Sequence, residues 1–319
     1  MSILDNLTRP SGRLSRVVFC ESFDQRVLRA ANTLNQHKLA QVSLLGNYNE
    51  LDAAAVGYRA SLDGMQIVDF EDDRMQGEIR SQLSTLDPSG GLDPTDPVVA
   101  GAWLVRNGLA DAVIAGAATT PMHVMRVYLK LLGMADGCAT MSGMSLVMFD
   151  NCAFVRNRVV GLADVSVVPE PTVEQLADIA IQSAVSYERM TGNEARVVFL
   201  SFSTLGTSGH PAVEKTRSAV ELTRSRKPEL SVDGEMQIDA ALIPSVAGAK
   251  SPSSSVAGNA NVLIFPSLSA GNIAQKIFQH FSDYRVLGPI LQGTKYPGTY
   301  IPRASSAEDI VDQVRLLIS

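Results

Sequence analysis

The segment PRASSAEDIVDQVRLLI, residues 302–318, sets Arg303 six positions before Asp309. A guanidinium is a planar donor fork that grips a phosphate through two parallel hydrogen bonds. A carboxylate is a group that can do acid–base work. The same stretch also reads as the start of a helix. Ser306 precedes Asp309 by three residues, an N-terminal capping arrangement, and Ile310, Val314 and Leu317, flanked by Val311 and Ile318, form an apolar stripe at helical period. Helix initiation therefore accounts for Asp309 but gives Arg303 no role.

Three further stretches could do chemistry. LSFSTLGTSGHP (200–211) delivers Ser201, Ser203 and Thr204 from an apolar run to a turn with Gly206 and Gly209, just ahead of a helix. Backbone N–H groups at such a helix start, with hydroxyls beside them, suit a phosphate or pyrophosphate. A polar turn with glycines for bending has the same composition. AGAATTPMHVMR (115–126) is a second strand-to-helix turn, with Arg126 on the second turn of the helix, where an arginine either meets an anion or is solvated. SVDGEMQIDAAL (231–242) gathers Asp233, Glu235 and Asp239, which could do acid–base work, but Asp-Gly is an ordinary turn signal and a turn is the favoured reading.

Several other chemistries lack their residues. No G-x-x-x-x-G-K-[ST] is present for a P-loop, no G-x-G-x-x-G opens a helix after a strand, and no G-x-S-x-G marks a hydrolase nucleophile. The four histidines, His37, His123, His210 and His280, lack metal-ligand spacing, so no metal or other cofactor is expected. Cys20, Cys138 and Cys152 form no C-x-x-C pair and read as small buried hydrophobes in a reducing compartment. The net charge of −6 argues against nucleic acid as a bulk partner. Asp5, Arg9 and Arg13 interrupt the N-terminus, and no uncharged apolar run reaches membrane-span length. A cytoplasmic protein with no membrane contact is the resulting expectation.

The elements that must carry these residues alternate strand and helix. In the 319-residue chain, 45% of residues are hydrophobic and 19% charged, ordinary for a globular enzyme long enough for two domains. β-Branched runs at 16–22, 41–46, 111–118, 145–155, 159–167, 195–203, 261–266 and 285–293 predict strands. Amphipathic stretches at 24–36, 97–108, 119–133, 172–190, 211–226 and 270–281 predict helices. This alternation is the pattern of an α/β fold with a largely parallel sheet. SPSSSVAGNA (251–260) predicts a surface loop, and the pattern shifts near residue 137.

In this order, VVFCESFDQRVLRAA, DPVVAGAWLVRNGLADAVIAGAATT, LSFSTLGTSGHP, DGEMQIDAAL, VAGNANVLIFPSLSAGNIAQKI and GPILQG resemble the phosphotransacetylase (phosphate acetyl/butyryl transferase) family. The resemblance runs from about residue 16 to the C-terminus, and LADVSVVPEPTVEQLADIAIQSA is similar to the short ethanolamine-utilisation type. It implies two α/β domains of the isocitrate/isopropylmalate-dehydrogenase-like fold, with residues 1–137 plus 292–319 in the first and 138–291 in the second. It further implies an interdomain active-site cleft, a homodimer formed mainly through the second domain, and a C-terminal helix that returns to the first. The implied reaction interconverts acetyl-CoA plus phosphate with acetyl phosphate plus coenzyme A (CoA), without a metal. Asp309 matches the family's thiol base, and Arg303 and Arg126 its phosphate-binding arginines. Arg80 matches a third arginine used for CoA. Ser201, Ser203, Thr204, Ser269 and Asn272 would line the CoA side.

The departures from the family are concentrated at the opening segment. Where relatives read Asn-Asp-Leu-Ser-Arg-Gly-Cys, this chain reads Thr299, Tyr300, Ile301, Pro302, Arg303, Ala304 and Ser305. Pro302 has neither the hydroxyl nor the N–H of the family serine. Losing one transition-state hydrogen bond costs about 3 kcal/mol, roughly a hundredfold in rate. Met122 and Met125 make the wall before Arg126 more apolar than in relatives. Two alternatives follow: an impaired homologue that binds CoA or acyl phosphate as a regulatory module, and a transferase for a longer acyl group.

Overall fold

The computed structural model describes residues 13–149, 152, 155 and 159–319. The chain divides into two compact units, Met1–Asp136 with Thr294–Ser319, and Gly137–Gly293. Asp5 and Arg9, and most of the expected strand beyond Phe149, lie outside the described residues.

The first unit is built on a five-stranded sheet in the order β11-β4-β1-β2-β3. Its strands are β1 (Arg16–Phe19), β2 (Gln41–Leu45), β3 (Gln66–Val68), β4 (Ala112–Ala115) and β11 (Gly298–Tyr300). All neighbouring pairs are parallel, and Tyr300 lies beside Ala115. The helices are α1 (Gln25–Gln36), α2 (Tyr48–Gly57), α3 (Asp73–Leu86), α4 (Pro97–Arg106), α5 (Pro121–Leu131) and α11 (Ala307–Leu317). Their starts follow the local chemistry. The Asp24, Asp96 and Thr120 side chains accept first-turn N–H groups, and Pro97 and Pro121 occupy positions where a missing N–H costs nothing. α2, α3 and β3 were not among the expected elements; Asn47 and Asp72 cap the two helices by accepting first-turn N–H groups.

α11 joins this unit because its stripe fits a ready core. Ile310, Val311, Val314 and Leu317 pack into one cluster with Val27, Leu28 and Ala31 of α1 and Ile114 of β4. Each fully buried aliphatic side chain contributes about 1.5–3 kcal/mol. Gln313 Nε2 adds a polar tie, donating to the Tyr300 carbonyl at 2.8 Å and to Thr299 Oγ1 at 3.3 Å.

The second unit carries a six-stranded sheet, β10-β5-β6-β9-β7-β8. These are β5 (Ser142–Met148), β6 (Val159–Ala163), β7 (Arg196–Leu200), β8 (Ser231–Met236), β9 (Val262–Ile264) and β10 (Arg285–Gln292). β6, β9, β7 and β8 run parallel, while β5 pairs antiparallel with β6 and with β10. The helices are α6 (Val173–Thr191), α7 (Pro211–Arg226), α8 (Ile238–Leu242), α9 (Pro244–Lys250) and α10 (Leu268–Phe281). Thr172 and Gln175 form a capping box at the start of α6, and Gly192 closes its end in the left-handed conformation.

Two expectations are corrected here. Asp233-Gly234 is not a turn but lies inside β8, where the register shifts against β7. Gly234 is required because its φ is +140° and a Cβ there would sit 2.8 Å from the Phe199 carbonyl oxygen. The 251–260 loop is not a surface loop throughout: Ser251, Val256 and Ala260 are buried, and Gly258 N–H donates to the Ala240 carbonyl at 2.9 Å. Apolar residues inside a Ser/Pro-rich run had pulled it under the α8–α9 turn.

Candidate active site

In the first unit, three loops leave the same edge of the sheet, at the carboxyl ends of β1, β4 and β11. The chain goes from β1 outward to β2 on one side, and β4 lies on the other, so this edge holds the topological switch point where open α/β sheets bind ligands. Arg303 is on the loop after β11, and Arg126 on the helix entered through the loop after β4. Gly116 lets the two loops meet. Its φ is +101°, and a Cβ there would lie 3.0 Å from Ile301 N. Ile301 N–H donates to the Ala115 carbonyl at 2.6 Å.

Arg303 is exposed and lies in a turn closed by Ser305 N–H donating to the Pro302 carbonyl at 2.9 Å. Among the described residues its guanidinium has no hydrogen-bond or ion-pair partner. Asp309 is exposed at the third position of α11 and completes the expected capping box. Its Oδ2 accepts from Ser306 N–H at 2.9 Å, and Ser306 Oγ accepts from Asp309 N–H at 3.1 Å. Oδ1 accepts no hydrogen bond among the described residues and is open to a proton donor. The cap and a base can therefore coexist in one side chain.

Arg126 has a specific anchor. One face of α5 is latched to the 87–96 loop by His123 on Asp96, Arg126 on the Gly91 carbonyl, and Lys130 on Asp87. A Cβ on Gly91 would strike the Arg126 guanidinium, so this loop approaches as closely as glycine permits. Lys130 first, then the Ser89 hydroxyl, holds the Asp87 carboxyl down at about 2. Arg80 is exposed on α3 and reaches Gln76 Oε1 at 3.5 Å. Gln76 in turn donates to the Pro94 carbonyl at 3.0 Å, so Arg80 and Arg126 both bear on the 87–96 loop. Among the described residues, no hydrogen bond or ion pair joins Arg80 to Arg303 or Asp309.

Sequence reasoning missed two residues that organise this edge, Glu21 and Arg26. Glu21 accepts three N–H groups of the loop after β4: Ala117 at 2.5 Å, Ala118 at 3.0 Å and Thr119 at 2.6 Å. Arg26 donates to the Ala117 carbonyl at 3.0 Å and to the Arg303 carbonyl at 2.6 Å. No local signal could have found them, because the backbone groups they hold lie 91 to 279 residues away. A cavity of about 300 Å³ opens beside Glu21 and Ala118, walled by Cys20, Leu45, Phe70 and Pro97.

In the second unit, the hydroxyls of the 201–207 loop divide into two kinds. Ser203 and Thr204 are buried: Ser203 Oγ donates to Glu235 Oε1 at 2.8 Å, and Thr204 Oγ1 accepts from Gln237 N–H at 3.1 Å. These two hold the loop rather than present themselves outward. Ser201 is half-buried, and its Oγ accepts from Ser203 N–H at 3.3 Å. Ser269 and Asn272 are exposed on α10, which begins earlier than expected because Ser267 caps it; Asn272 Nδ2 donates to the Val165 carbonyl at 3.1 Å.

The carboxylates of the 231–242 segment are committed to cations. Asp233 pairs with Arg224, Asp239 with Lys250, and Glu235 with Arg217. Glu235 Oε1 also accepts Gly206 N–H at 3.0 Å. Burial pushes its carboxyl up, but Arg217, Gly206 N–H and Ser203 outweigh that and hold it below the usual range. These groups support a loop; they are not an acid–base pair. The three cysteines are free, with Cys20 buried and Cys138 and Cys152 only partly so.

Residues 3–318 match the family described as Phosphate acetyl/butaryl transferase. The chain belongs to this family. Phosphate acetyltransferase from Acetivibrio thermocellus is 35% identical over 319 residues, covering 98% of this chain and 96% of that one. Among solved structures, the EutD phosphotransacetylase from Staphylococcus aureus is 29% identical with a TM-score of 0.87, covering 99% of this chain and 97% of that one. A phosphotransacetylase from Streptococcus pyogenes is 32% identical with a TM-score of 0.87, covering 99% and 95%. As a member of the phosphate acetyl/butaryl transferase family, the chain is an enzyme of the transferase class with the two-domain α/β fold of these structures. Among the described residues, no helix is long and apolar enough to cross a membrane.

Proposed function

We propose that the protein is a phosphate acetyltransferase that interconverts acetyl-CoA plus phosphate with acetyl phosphate plus CoA. The observation that carries this reading is that one loop and helix start presents both an exposed Arg303 guanidinium with no partner among the described residues and an Asp309 carboxylate whose Oδ1 accepts no hydrogen bond among them. Arg303 and those N–H groups of Arg126 not used on the Gly91 carbonyl take the phosphoryl oxygens of acetyl phosphate. Asp309 accepts the S–H proton of CoA, and the sulfur forms its bond to the acetyl carbon. The bond from that carbon to the phosphate oxygen then breaks, and both electrons leave with inorganic phosphate, whose charge the two guanidiniums offset. Arg80, Ser201, Ser269 and Asn272 contact CoA in this reading, while Ser203 and Thr204 shape the loop from within. No cofactor takes part, and the protein acts in the cytoplasm as a homodimer.

Pro302 favours a second reading, a homologue that binds these ligands but turns them over slowly. The chain offers two neighbours that could replace the lost hydroxyl, and their surroundings favour one. Thr299 is buried, with Oγ1 receiving Gln313, whereas Ser305 is half-buried and its Oγ is engaged by no described residue. Ser305 is therefore the substitute we assign. The experiment is to mix the protein with acetyl phosphate and CoA and follow thioester formation. Turnover abolished by Arg303→Ala supports the transferase; CoA binding by calorimetry without turnover supports the second reading.

A further inference from the structure

The Arg26 side chain accounts for all of its donors. Nε donates to Asp24 Oδ1 at 3.0 Å, and Nη2 to Asp24 Oδ2 at 2.8 Å and to the Ala117 carbonyl at 3.0 Å. Nη1 donates to the Arg303 carbonyl at 2.6 Å and to the Ser305 carbonyl at 3.2 Å. A guanidinium has five N–H groups and here all five are used, so none is left for a phosphate. Its partners are informative. Asp24 is the cap of α1, Ala117 belongs to the loop leading to Arg126, and Arg303 and Ser305 flank the turn after β11. Glu21, five residues earlier, takes the N–H groups of that same 117–119 loop.

We infer that Arg26, seconded by Glu21, is a positioning residue for the transfer reaction: it fixes the backbone that carries Arg303 and ties it to the loop leading to Arg126. This rests on the reading of Arg303 and Arg126 as phosphate ligands. The residue type follows from the task. Three carbonyls and a bidentate carboxylate lie around one planar fork, which lysine, with three donors on a compact ammonium, cannot match. The Arg303 and Ser305 carbonyls lie in a turn at the surface and can turn to water when Arg26 is lost, and the thermal midpoint of each variant checks that the chain still folds. What changes is the aim of Arg303, and a misplacement of about 1 Å can cost on the order of a hundredfold.

The test uses Arg26→Met, Arg26→Lys and Arg26→Ala, with Arg29→Met on the exposed face of α1 as a charge control. Turnover of acetyl phosphate with CoA and calorimetric binding of inorganic phosphate are both measured. Arg26→Met is expected to lower kcat/KM about 30- to 100-fold, with KM for acetyl phosphate raised and the thermal midpoint nearly kept. Arg26→Lys is expected to recover only part of this, and guanidinium ion to rescue Arg26→Ala. Combining Arg26→Met with Arg303→Ala should cost no more than Arg303→Ala alone. The inference is overturned if Arg26→Met stays within threefold of wild type or if the two substitutions multiply independently. If wild type shows no turnover, the transferase reading fails, and phosphate binding weakened by Arg26→Met still supports the positioning role. Phosphate binding absent from wild type, or indifferent to Arg26, overturns it.

Discussion

Asp309 is asked to cap a helix and to serve as a base, and one pair of substitutions separates the two roles. Asparagine keeps an oxygen for the Ser306 N–H that now reaches Oδ2 at 2.9 Å, so the reciprocal half of the capping box is retained. It loses only the charge at the start of α11, worth about 0.3–1 kcal/mol against the helix dipole. Alanine loses the hydrogen bond to Ser306 N–H as well, about 1 kcal/mol more. Since 1 kcal/mol moves the midpoint of a domain this size by roughly 2–4 °C, Asp309→Asn should melt within a few degrees of wild type and Asp309→Ala clearly lower. In the thioester assay the order changes. Neither variant can take the thiol proton, so both should fall by the 10²- to 10⁴-fold, or about 3–5 kcal/mol, that general bases contribute. Asp309→Asn retaining wild-type turnover would refute the base assignment and leave Asp309 as a cap only.

The other predictions concern the supports of the site. Ser305→Ala should reduce kcat at least tenfold with KM for CoA little changed, and an unaffected rate would remove Ser305 as the substitute for the hydroxyl lost at Pro302. Glu235→Ala frees Ser203, Gly206 N–H and Arg217 at once, and should raise KM for CoA while thioester formation at saturation survives. An unchanged KM would show that the 201–207 loop does not meet CoA. The Asp87–Lys130 pair predicts a pH dependence. A carboxyl held at about 2 by its ammonium partner stabilises the fold fully above its unfolded value near 4 and loses that contribution as pH falls toward 2. The midpoint difference between wild type and Lys130→Met should therefore be widest above pH ~4 and close on acidification; a constant difference from pH 2 to 7 would contradict it.

Much of the fold is legible locally. Thr172, Ser306 and the prolines at 121 and 211 mark helix starts, and the buried β-branched runs mark the central strands, because caps and periodicity are properties of adjacent residues. The opposite case is Gly234, where a turn signal sits inside a strand because the Phe199 backbone crowds it. Arg303 stands out in the sequence as a residue with no structural reason, and Arg126 as one with two possible fates. Arg26 and Glu21 do not stand out at all. They look like an ordinary charged pair at a helix start until β4 and β11 arrive beside β1 and bring their loops into reach.

Phosphate binding by Arg303 and Arg126, in an acyl transfer where Asp309 takes the thiol proton, is the step on which the proposed function stands. Steady-state thioester formation from acetyl phosphate and CoA, with and without added inorganic phosphate, tests it most directly. Wild type should turn over with phosphate competing against acetyl phosphate, and Arg303→Ala should lose most of that turnover and leave what remains insensitive to phosphate. Turnover in Arg303→Ala equal to wild type, with phosphate inhibition intact, would contradict it.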